Sequence, residues 1–277
     1  WFWGYLGRAA DKGIDGWMHD YGESLPLEAV MGDGRSGFEV HNEYPLLWAE
    51  AGRAFWEMKR PDGDFAIFNR SGYTGISAHT HIMWLGDQLV TFDRNDGLGS
   101  VPRLYLSAGL SGIALAHSDI GGYTSFGSSV RTYELWARWV TLETFTPFMR
   151  THHSGTPAPN LQWYSNEDTL RHYRDYGRWH QRLLPYWMQV VDEAVTKGAP
   201  AVRPVWWNEQ DPAPLFDVDD AFLVGNNLLV APIVAEGQTS RSVSLPSGTW
   251  HRWPSVDVLS STALSGTISV DDVGIED

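Results

Sequence analysis

The chain has 277 residues, with 20 Lys and Arg against 34 Asp and Glu, so its formal net charge is −14 at pH 7. Hydrophobic residues make up 43% and charged residues 19% of the chain, a globular composition that excludes disorder, collagen and coiled coil. The acidic balance argues against a nucleic-acid partner, no apolar run approaches the roughly 18–20 residues of a membrane helix, and the absence of Cys excludes disulfides and thiolate chemistry.

Short apolar runs that end in polar or Gly-rich clusters alternate with helical patterns along most of the chain. This alternation is typical of βα units around a parallel sheet. Strands are predicted at 13–19, 64–69, 81–84, 112–116 and 145–149. Helices are predicted at 44–59, 100–111, 130–143 and 168–197, and Pro185 is expected to kink or divide the last of them.

The pattern changes to short alternating strands after about residue 215. Residues 222–232 resemble a hairpin with a Gly-Asn-Asn turn, and strands are predicted at 242–246 and 248–253. The sequence therefore predicts an α/β fold. Residues 1–212 form the C-terminal part of a (β/α)₈ TIM barrel, about strands 4–8, and residues 213–277 form a partial all-β, β-sandwich domain.

Every predicted strand of the barrel is followed by a polar cluster, and barrel enzymes carry their chemistry at the carboxyl ends of the strands. Asp20 and Asp87 each end a strand, and two carboxylates are the minimum apparatus for glycoside hydrolysis. Glu23 lies close to Asp20 in the chain and competes for a role. The 15 Trp suit the flat faces of sugars, although a Trp-rich core explains them as well.

Two other classes of protein remain open from the residues alone. The first is a metal-dependent barrel hydrolase, because His79-Thr80-His81 has the form of some metal sites. This motif lies at the start of a strand, however, rather than at its catalytic end. His152 and His153 are adjacent, so on a strand they point to opposite faces. A lectin-like binding protein is the second alternative. Neither alternative explains a pair of carboxylates at strand ends.

Five motifs in a fixed order resemble glycoside hydrolase family 31, the retaining α-glucosidase and α-xylosidase family. The motifs are Trp17-Met18-His19-Asp20-Tyr21-Gly22-Glu23, Arg70-Ser71-Gly72-Tyr73-Thr74-Gly75, Trp84-Leu85-Gly86-Asp87-Gln88, His117-Ser118-Asp119-Ile120-Gly121-Gly122-Tyr123 and Phe148-Met149-Arg150-Thr151-His152. The resemblance covers about residues 1–255. Within the family it is closest to the sulfoquinovosidases, on Asp20 to Glu23, on Gly86 to Gln88, on Asn95 to Leu98 and on Gly121 to Tyr123.

The resemblance implies that Asp20 is the nucleophile and Asp87 the general acid/base. Six further residues receive supporting roles: Arg70 and His152 bind sugar hydroxyls, Trp84 lines the subsite, Tyr123 helps to hold a sulfonate, and Asp119 pairs with Arg150 behind the site. No cofactor and no metal are implied. A retaining mechanism predicts that the two catalytic carboxyl groups lie about 5–5.5 Å apart.

The expected substrate is a small α-glycoside, with a sulfonated sugar favoured over a plain one. In sulfoquinovosidases the Gln, Arg and Trp that grip the sulfonate precede the nucleophile, so they would precede residue 1 here. The chain begins with Trp1 and shows no signal-peptide pattern, so we expect a C-terminal piece of a longer protein. A cytoplasmic location is expected, and a nucleic-acid or membrane partner is not.

Overall fold

The computed structural model describes residues 2–253, 266–271 and 273–275. The remainder of the predicted β domain, 254–265, 272 and 276–277, lies outside the described residues. The chain divides into two compact units, Trp1–Gly86 and Asp87–Asp277. None of the helices in the described ranges is long and apolar enough to cross a membrane.

From residue 2 onward, the first unit contains three parallel strands and three α-helices. In chain order they are α1 (Phe2–Ala10), β1 (Gly16–Met18), α2 (Gly37–Val40), α3 (Tyr44–Lys59), β2 (Ala66–Asn69) and β3 (Ile82–Trp84). β2 pairs in parallel with both β1 and β3. The strands predicted at 13–19, 64–69 and 81–84 and the helix predicted at 44–59 are therefore confirmed. Since the strands are parallel, the polar residues that follow them share one edge of the sheet.

Helix α3 has a sequence that favours a helix, and its apolar face covers the sheet. Pro45 lies in the first turn, where a missing N–H costs nothing. The buried face of α3 packs its aromatic side chains against Phe65 and Ile67, with Trp17 of β1 against the same cluster. The rings of Trp17 and Trp56 lie 4.6 Å apart, centroid to centroid. This apolar cluster anchors β1, the strand that leads to Asp20.

The second unit contains four helices and six strands within the described residues. They are α4 (Val101–Leu110), β4 (Ala116–His117), α5 (Tyr133–Thr144), α6 (Glu167–Arg182), α7 (Leu184–Lys197), β5 (Val202–Pro204), β6 (Phe222–Val224), β7 (Leu228–Val230), β8 (Arg241–Ser244) and β9 (Thr267–Val270). The predicted helix 168–197 is divided, as expected, with Pro185 in the first turn of α7. β6 and β7 form the predicted antiparallel hairpin.

Two predicted strands are wrong, and the strand predicted at 112–116 is reduced to β4 at Ala116–His117. Residues 145–149 form no strand, because Phe145 caps α5, Thr146 bonds back to Glu143, and Pro147 has no N–H to donate. The pairing at this point shifts to Thr151, which bridges Ile120 in parallel. Residues 248–253 likewise form no continuous strand.

β5 pairs antiparallel with β6, so the chain on both sides of residue 212 contributes to one small sheet. The predicted boundary between the barrel at 1–212 and the β domain at 213–277 stays a prediction.

Candidate active site

Asp20 follows β1, and two donors hold its carboxylate. Oδ1 accepts a hydrogen bond of 2.8 Å from the backbone N–H of Tyr21 and lies 3.1 Å from Nε of Arg70. Tyr21 has a φ of +66°, a left-handed conformation that costs a non-Gly residue about 1–3 kcal/mol. This strained turn directs the Tyr21 N–H toward the carboxylate of Asp20.

Arg70 brings the predicted residues of the first unit together. Its guanidinium lies between two carboxylates, with Nε also 2.6 Å from Oε1 of Glu23. It lies 5.0 Å from the ring centroid of Tyr21 and 5.5 Å from that of Trp84. Three predicted site residues, Asp20, Arg70 and Trp84, therefore lie together in the first unit, with Glu23 beside them.

The carboxylate of Glu23 accepts a hydrogen bond from Arg70 and forms an ion pair with it. Burial acts to raise the pKa of Glu23. Hydrogen bonds from Arg70, from its own backbone N–H and from Ser71, together with the positive charge of Arg70, outweigh burial, and the pKa is lowered from its ordinary value. Glu23 therefore remains a carboxylate at neutral pH. A carboxylate in that state orients Arg70 and is a poor proton donor, so it does not replace Asp87 as the candidate acid.

Trp48 of α3, which the sequence did not single out, fixes the backbone of Asp20. Its indole Nε1 donates to the carbonyl of Asp20 at 2.9 Å. The same indole stacks on His19, with ring centroids 4.4 Å apart and an interplanar angle of 17°. Gly52 permits this close approach, because a Cβ there would lie 2.8 Å from the His19 ring. The feature of the sequence that points to Trp48 is its position on α3, the helix that covers β1.

The His79-Thr80-His81 motif is engaged with protein groups. Nδ1 of His81 accepts from the N–H of Ile67 at 3.2 Å, and its Nε2 lies 3.3 Å from Nη1 of Arg53. His79 lies 3.5 Å from Glu50. Within the described part of the chain, no group of three or more His, Asp or Glu side chains is arranged to hold a metal ion.

The segment that contains Asp87 is held by the loop that contains Tyr123. Thr124 donates its hydroxyl to the carbonyl of Asp87 at 2.9 Å. The backbone N–H groups of Tyr123 and Thr124 both donate to the carbonyl of Gln88, at 2.8 and 2.9 Å. Two predicted site residues of the second unit, Asp87 and Tyr123, therefore lie on hydrogen-bonded segments.

Tyr123 and His152 are in direct contact, with ring centroids 4.9 Å apart in an edge-to-face arrangement. Nδ1 of His152 accepts from the backbone N–H of Ser154 at 3.1 Å, so the neutral ring carries its proton on Nε2. Burial and neighbouring positive charges, chiefly Arg150, lower the pKa of His152 to about 4. At neutral pH His152 is an uncharged hydrogen-bond donor, which suits a sugar hydroxyl.

Asp119 and Arg150 form the ion pair that the sequence predicted. Nη2 of Arg150 contacts Oδ1 of Asp119, which is fully buried, and Nε of Arg150 donates to Nε2 of His117 at 3.0 Å. Burial raises the pKa of Asp119 to about 7, which the Arg150 charge opposes and the Asp87 charge increases. Burial and Arg150 lower the pKa of His117 to about 3, so its ring is neutral. The electrostatic coupling connects Asp119 to the candidate acid Asp87.

Glu143 is a buried carboxyl group that sequence reasoning missed. It accepts hydrogen bonds from the Tyr105 hydroxyl at 2.7 and 2.8 Å, from Thr146 at 3.1 Å and from Ser118. Ser118 in turn accepts from Nε1 of Trp139 at 2.8 Å, which fixes the direction of its own hydroxyl. Ser118 directly precedes Asp119, so this network holds the end of β4 in place.

The sequence does contain a signal for Glu143. It lies on the face of α5 that contains Leu135, Trp139 and Leu142, at helical spacing, and all four side chains are buried. A carboxyl group on an apolar face is uncommon and indicates a partner inside the fold. Burial raises the pKa of Glu143 to about 7, which three hydroxyl groups partly oppose.

Comparison with known proteins identifies the family. Residues 1–190 match the glycosyl hydrolases family 31 TIM-barrel domain, and residues 198–272 match the glycosyl hydrolase family 31 C-terminal domain. A sulfoquinovosidase of Agrobacterium fabrum is 41% identical over 245 residues, which is 88% of this chain and 37% of that protein. Alpha-glucosidase 2 of Bacillus thermoamyloliquefaciens is 28% identical over 90% of this chain and 32% of that protein.

A solved structure shows the same fold. A family 31 sulfoquinovosidase from E. rectale, in complex with an aza-sugar inhibitor, matches with a TM-score of 0.91 and 36% identity, over 98% of this chain and 40% of that chain. The chain thus spans less than half the length of these relatives. It belongs to glycoside hydrolase family 31, which confirms the predicted family, its TIM barrel and the β domain that follows.

We expect Glu143→Gln to change how stability depends on pH. The pKa of Glu143 is raised from 4.5 to about 7 by burial, so the unfolded state ionises first and the carboxyl lowers stability progressively as pH rises from 4.5 to above 7. The free energy of unfolding of the variant, minus that of the parent, should therefore rise over this range by up to about 3 kcal/mol.

Unfolding by urea at a series of pH values measures this difference. Glu57→Gln on the exposed surface of α3 is the matched control. A difference between Glu143→Gln and the parent that is the same at pH 4.5 and pH 8 would contradict the assigned cost of ionising Glu143.

Proposed function

We propose that the protein is a retaining α-glycoside hydrolase, with Asp20 as nucleophile and Asp87 as general acid/base, and that its substrate is an α-sulfoquinovoside. The setting of Asp20 carries the proposal. Its carboxylate lies at the carboxyl end of a barrel strand, oriented by the Tyr21 N–H and by Arg70, with Trp84 packed against the same guanidinium. An oriented carboxylate beside an aromatic wall is what attack on a sugar requires.

The reaction proceeds by two displacements. Asp20 attacks the anomeric carbon to form a β-glycosyl ester, and Asp87 gives its proton to the departing glycosidic oxygen. Asp87, now ionised, removes a proton from water, and the water oxygen attacks the anomeric carbon. The bond to Asp20 breaks, and the sugar leaves with its original configuration. Both steps need only carboxyl groups and water.

The other site residues hold the sugar and the acid in place. Arg70 and the neutral His152 donate hydrogen bonds to sugar hydroxyls, and Trp84 provides an apolar wall. Tyr123 contributes its hydroxyl toward the substituent on the sixth carbon of the sugar. Asp119, paired with Arg150, places a charge close enough to affect Asp87.

The choice of a sulfonated sugar rests on relatives. The relative with 41% identity is named a sulfoquinovosidase, and the α-glucosidase relative is 28% identical. An α-glucosidase or α-xylosidase that acts on plain sugars is the second candidate, because it would use the same two carboxyl groups. The two candidates differ in how the protein receives the sixth carbon of the sugar.

Turnover of two matched aryl glycosides, an α-sulfoquinovoside and an α-glucoside, tests the proposal in the protein as its organism produces it. We expect kcat/KM to favour the sulfonated sugar by about 10³-fold or more, since about 4 kcal/mol of discrimination requires a dedicated anion site. A preference for the glucoside would leave the mechanism in place and replace the substrate. Turnover of neither would refute the proposed function.

The chain offers a matched control for the nucleophile. Asp20 and Asp15 lie at opposite ends of β1, and Asp15 pairs with Arg60 at 2.8 Å on the surface. Asp20→Asn should lose turnover almost completely, whereas Asp15→Asn should keep it. Equal effects of the two substitutions would remove Asp20 from the mechanism.

Replacing Asp119 should shift the pH profile. Coupling between two charges is mutual, so an ionised Asp119 favours the protonated form of Asp87 that the first step needs. Asp119→Asn removes this effect and leaves the Arg150 charge uncompensated. The alkaline limb of kcat/KM should then move to lower pH by about one unit.

A pH–rate profile measured on the parent, on Asp119→Asn and on Asp93→Asn decides the point. Asp93 lies in an exposed loop after Asp87 and accepts its hydrogen bonds from backbone N–H groups, so its replacement is the control. An alkaline limb that stays in place or moves upward in Asp119→Asn would contradict the electrostatic role.

A further inference from the structure

Arg131 is a buried cation, and its guanidinium donates to four backbone carbonyls among the described residues. Its side chain is almost fully buried, and it immediately precedes Thr132, the residue that caps α5. Nε donates to the carbonyl of Gly121 at 2.9 Å, Nη1 donates to His152 at 3.0 Å and to Leu161 at 3.2 Å, and Nη2 donates to Gly122. Nothing in the sequence pattern singled out this residue.

These carbonyls belong to two loops that carry proposed sugar-binding side chains. Gly121 and Gly122 directly precede Tyr123, and the third carbonyl is that of His152 itself. The rings of Tyr123 and His152 meet edge to face at 4.9 Å. One guanidinium group therefore joins the backbones on both sides of this ring contact.

The Gly-Gly pair fits this arrangement. Both residues have positive φ, +87° and +76°, which favours glycine. A Cβ on Gly121 would lie 2.4 Å from Nε of Arg131, and a Cβ on Gly122 would lie 2.7 Å from the carbonyl oxygen of Leu89. The loop is thus enclosed between the guanidinium on one side and the segment after Asp87 on the other.

The chemistry of the guanidinium suits this task. Burial lowers the pKa of Arg131 to about 10, which the charge of Asp119 opposes, so the group remains a cation at neutral pH. A planar fork with five N–H donors can serve several carbonyls in fixed directions, whereas a lysine ammonium has three donors and no fork. The backbone N–H of Arg131 also donates to Oδ1 of Asn160 at 2.7 Å, which fixes the start of the side chain.

We propose that Arg131 is a positioning residue that sets the distance between Tyr123 and His152 and thereby aligns both side chains on the sugar. The inference rests on the proposed function in one respect, because it takes these two side chains as sugar ligands. Arg131 itself does not touch the substrate. It acts through the carbonyls of the two loops.

The test compares Arg131→Lys with Arg203→Lys, in the protein as its organism produces it. Arg203 is equally buried and donates to the carbonyl of Pro200 at 2.8 Å and to Glu193 at 2.7 Å, and no residue of the proposed site is among its partners. Both substitutions should lower the melting temperature. Only Arg131→Lys should also lower kcat/KM, by about tenfold or more. Equal kinetic losses at equal destabilisation would overturn the proposal.

A double-mutant cycle with His152→Ala separates positioning from general destabilisation. If Arg131 acts through His152, Arg131→Lys should cost much less in the His152→Ala background than in the parent, about threefold instead of tenfold. Additive losses would show that Arg131 does not act through His152 and would overturn that part of the proposal.

A crystal structure of Arg131→Lys gives a result that does not depend on activity. We expect the ring centroids of Tyr123 and His152 to separate by about 1 Å beyond their 4.9 Å distance, a displacement of the size that impairs catalysis. An unchanged distance would overturn the proposal. If the parent protein turns over no α-glycoside, the proposed function fails, and this structure still decides whether Arg131 sets the spacing of the two loops.

Discussion

Burial of charge is the constraint on which the second unit depends. A charged group removed from water costs several kcal/mol unless it finds partners, so each buried ion here has a defined set of contacts. Asp119 has Arg150, Glu143 has three hydroxyl groups, and Arg131 has four carbonyls. Replacing one partner of a buried ion pair leaves the other charge without compensation and lowers the free energy of unfolding by about 3–5 kcal/mol. These contacts hold the loops at the strand ends through directional hydrogen bonds.

The sequence predicted those elements whose evidence is local. Three parallel strands, the division of a long helix at Pro185 and the hairpin at 222–232 all follow from hydrophobic pattern and from Pro or Gly at turns. The strand predicted at 145–149 failed because apolar composition does not reveal a competing local hydrogen bond. The Thr146 hydroxyl donates to the carbonyl of Glu143 at the end of α5, and the parallel pairing with Ile120 begins only at Thr151.

For the candidate site, side chains in recurring motifs were predictable and those that bond to backbone were not. The family resemblance implied the pairing of Asp119 with Arg150, two opposite charges that each precede a residue of the Ile120–Thr151 bridge. Trp48 and Arg131 act through carbonyl groups, which every residue has, so no pattern of side chains indicates their partners. Glu143 lies between these cases, since a carboxyl group on an apolar helix face predicts burial but not which hydroxyls it meets.

The distribution of charge limits how a sulfonated sugar can bind. The chain carries a net charge of −14, so a permanent anion is repelled at long range and needs local donors. The three arginines that contact proposed site residues already have partners: Arg70 lies between Asp20 and Glu23, Arg150 pairs with Asp119, and Arg131 is enclosed by carbonyls. Arg70 and the carboxylates of Asp20 and Glu23 together carry a net charge of −1, which disfavours binding of the sulfonate beside them. Under the proposed function, recognition of the sulfonate therefore requires donors beyond these three guanidinium groups, with the Tyr123 hydroxyl as one of them.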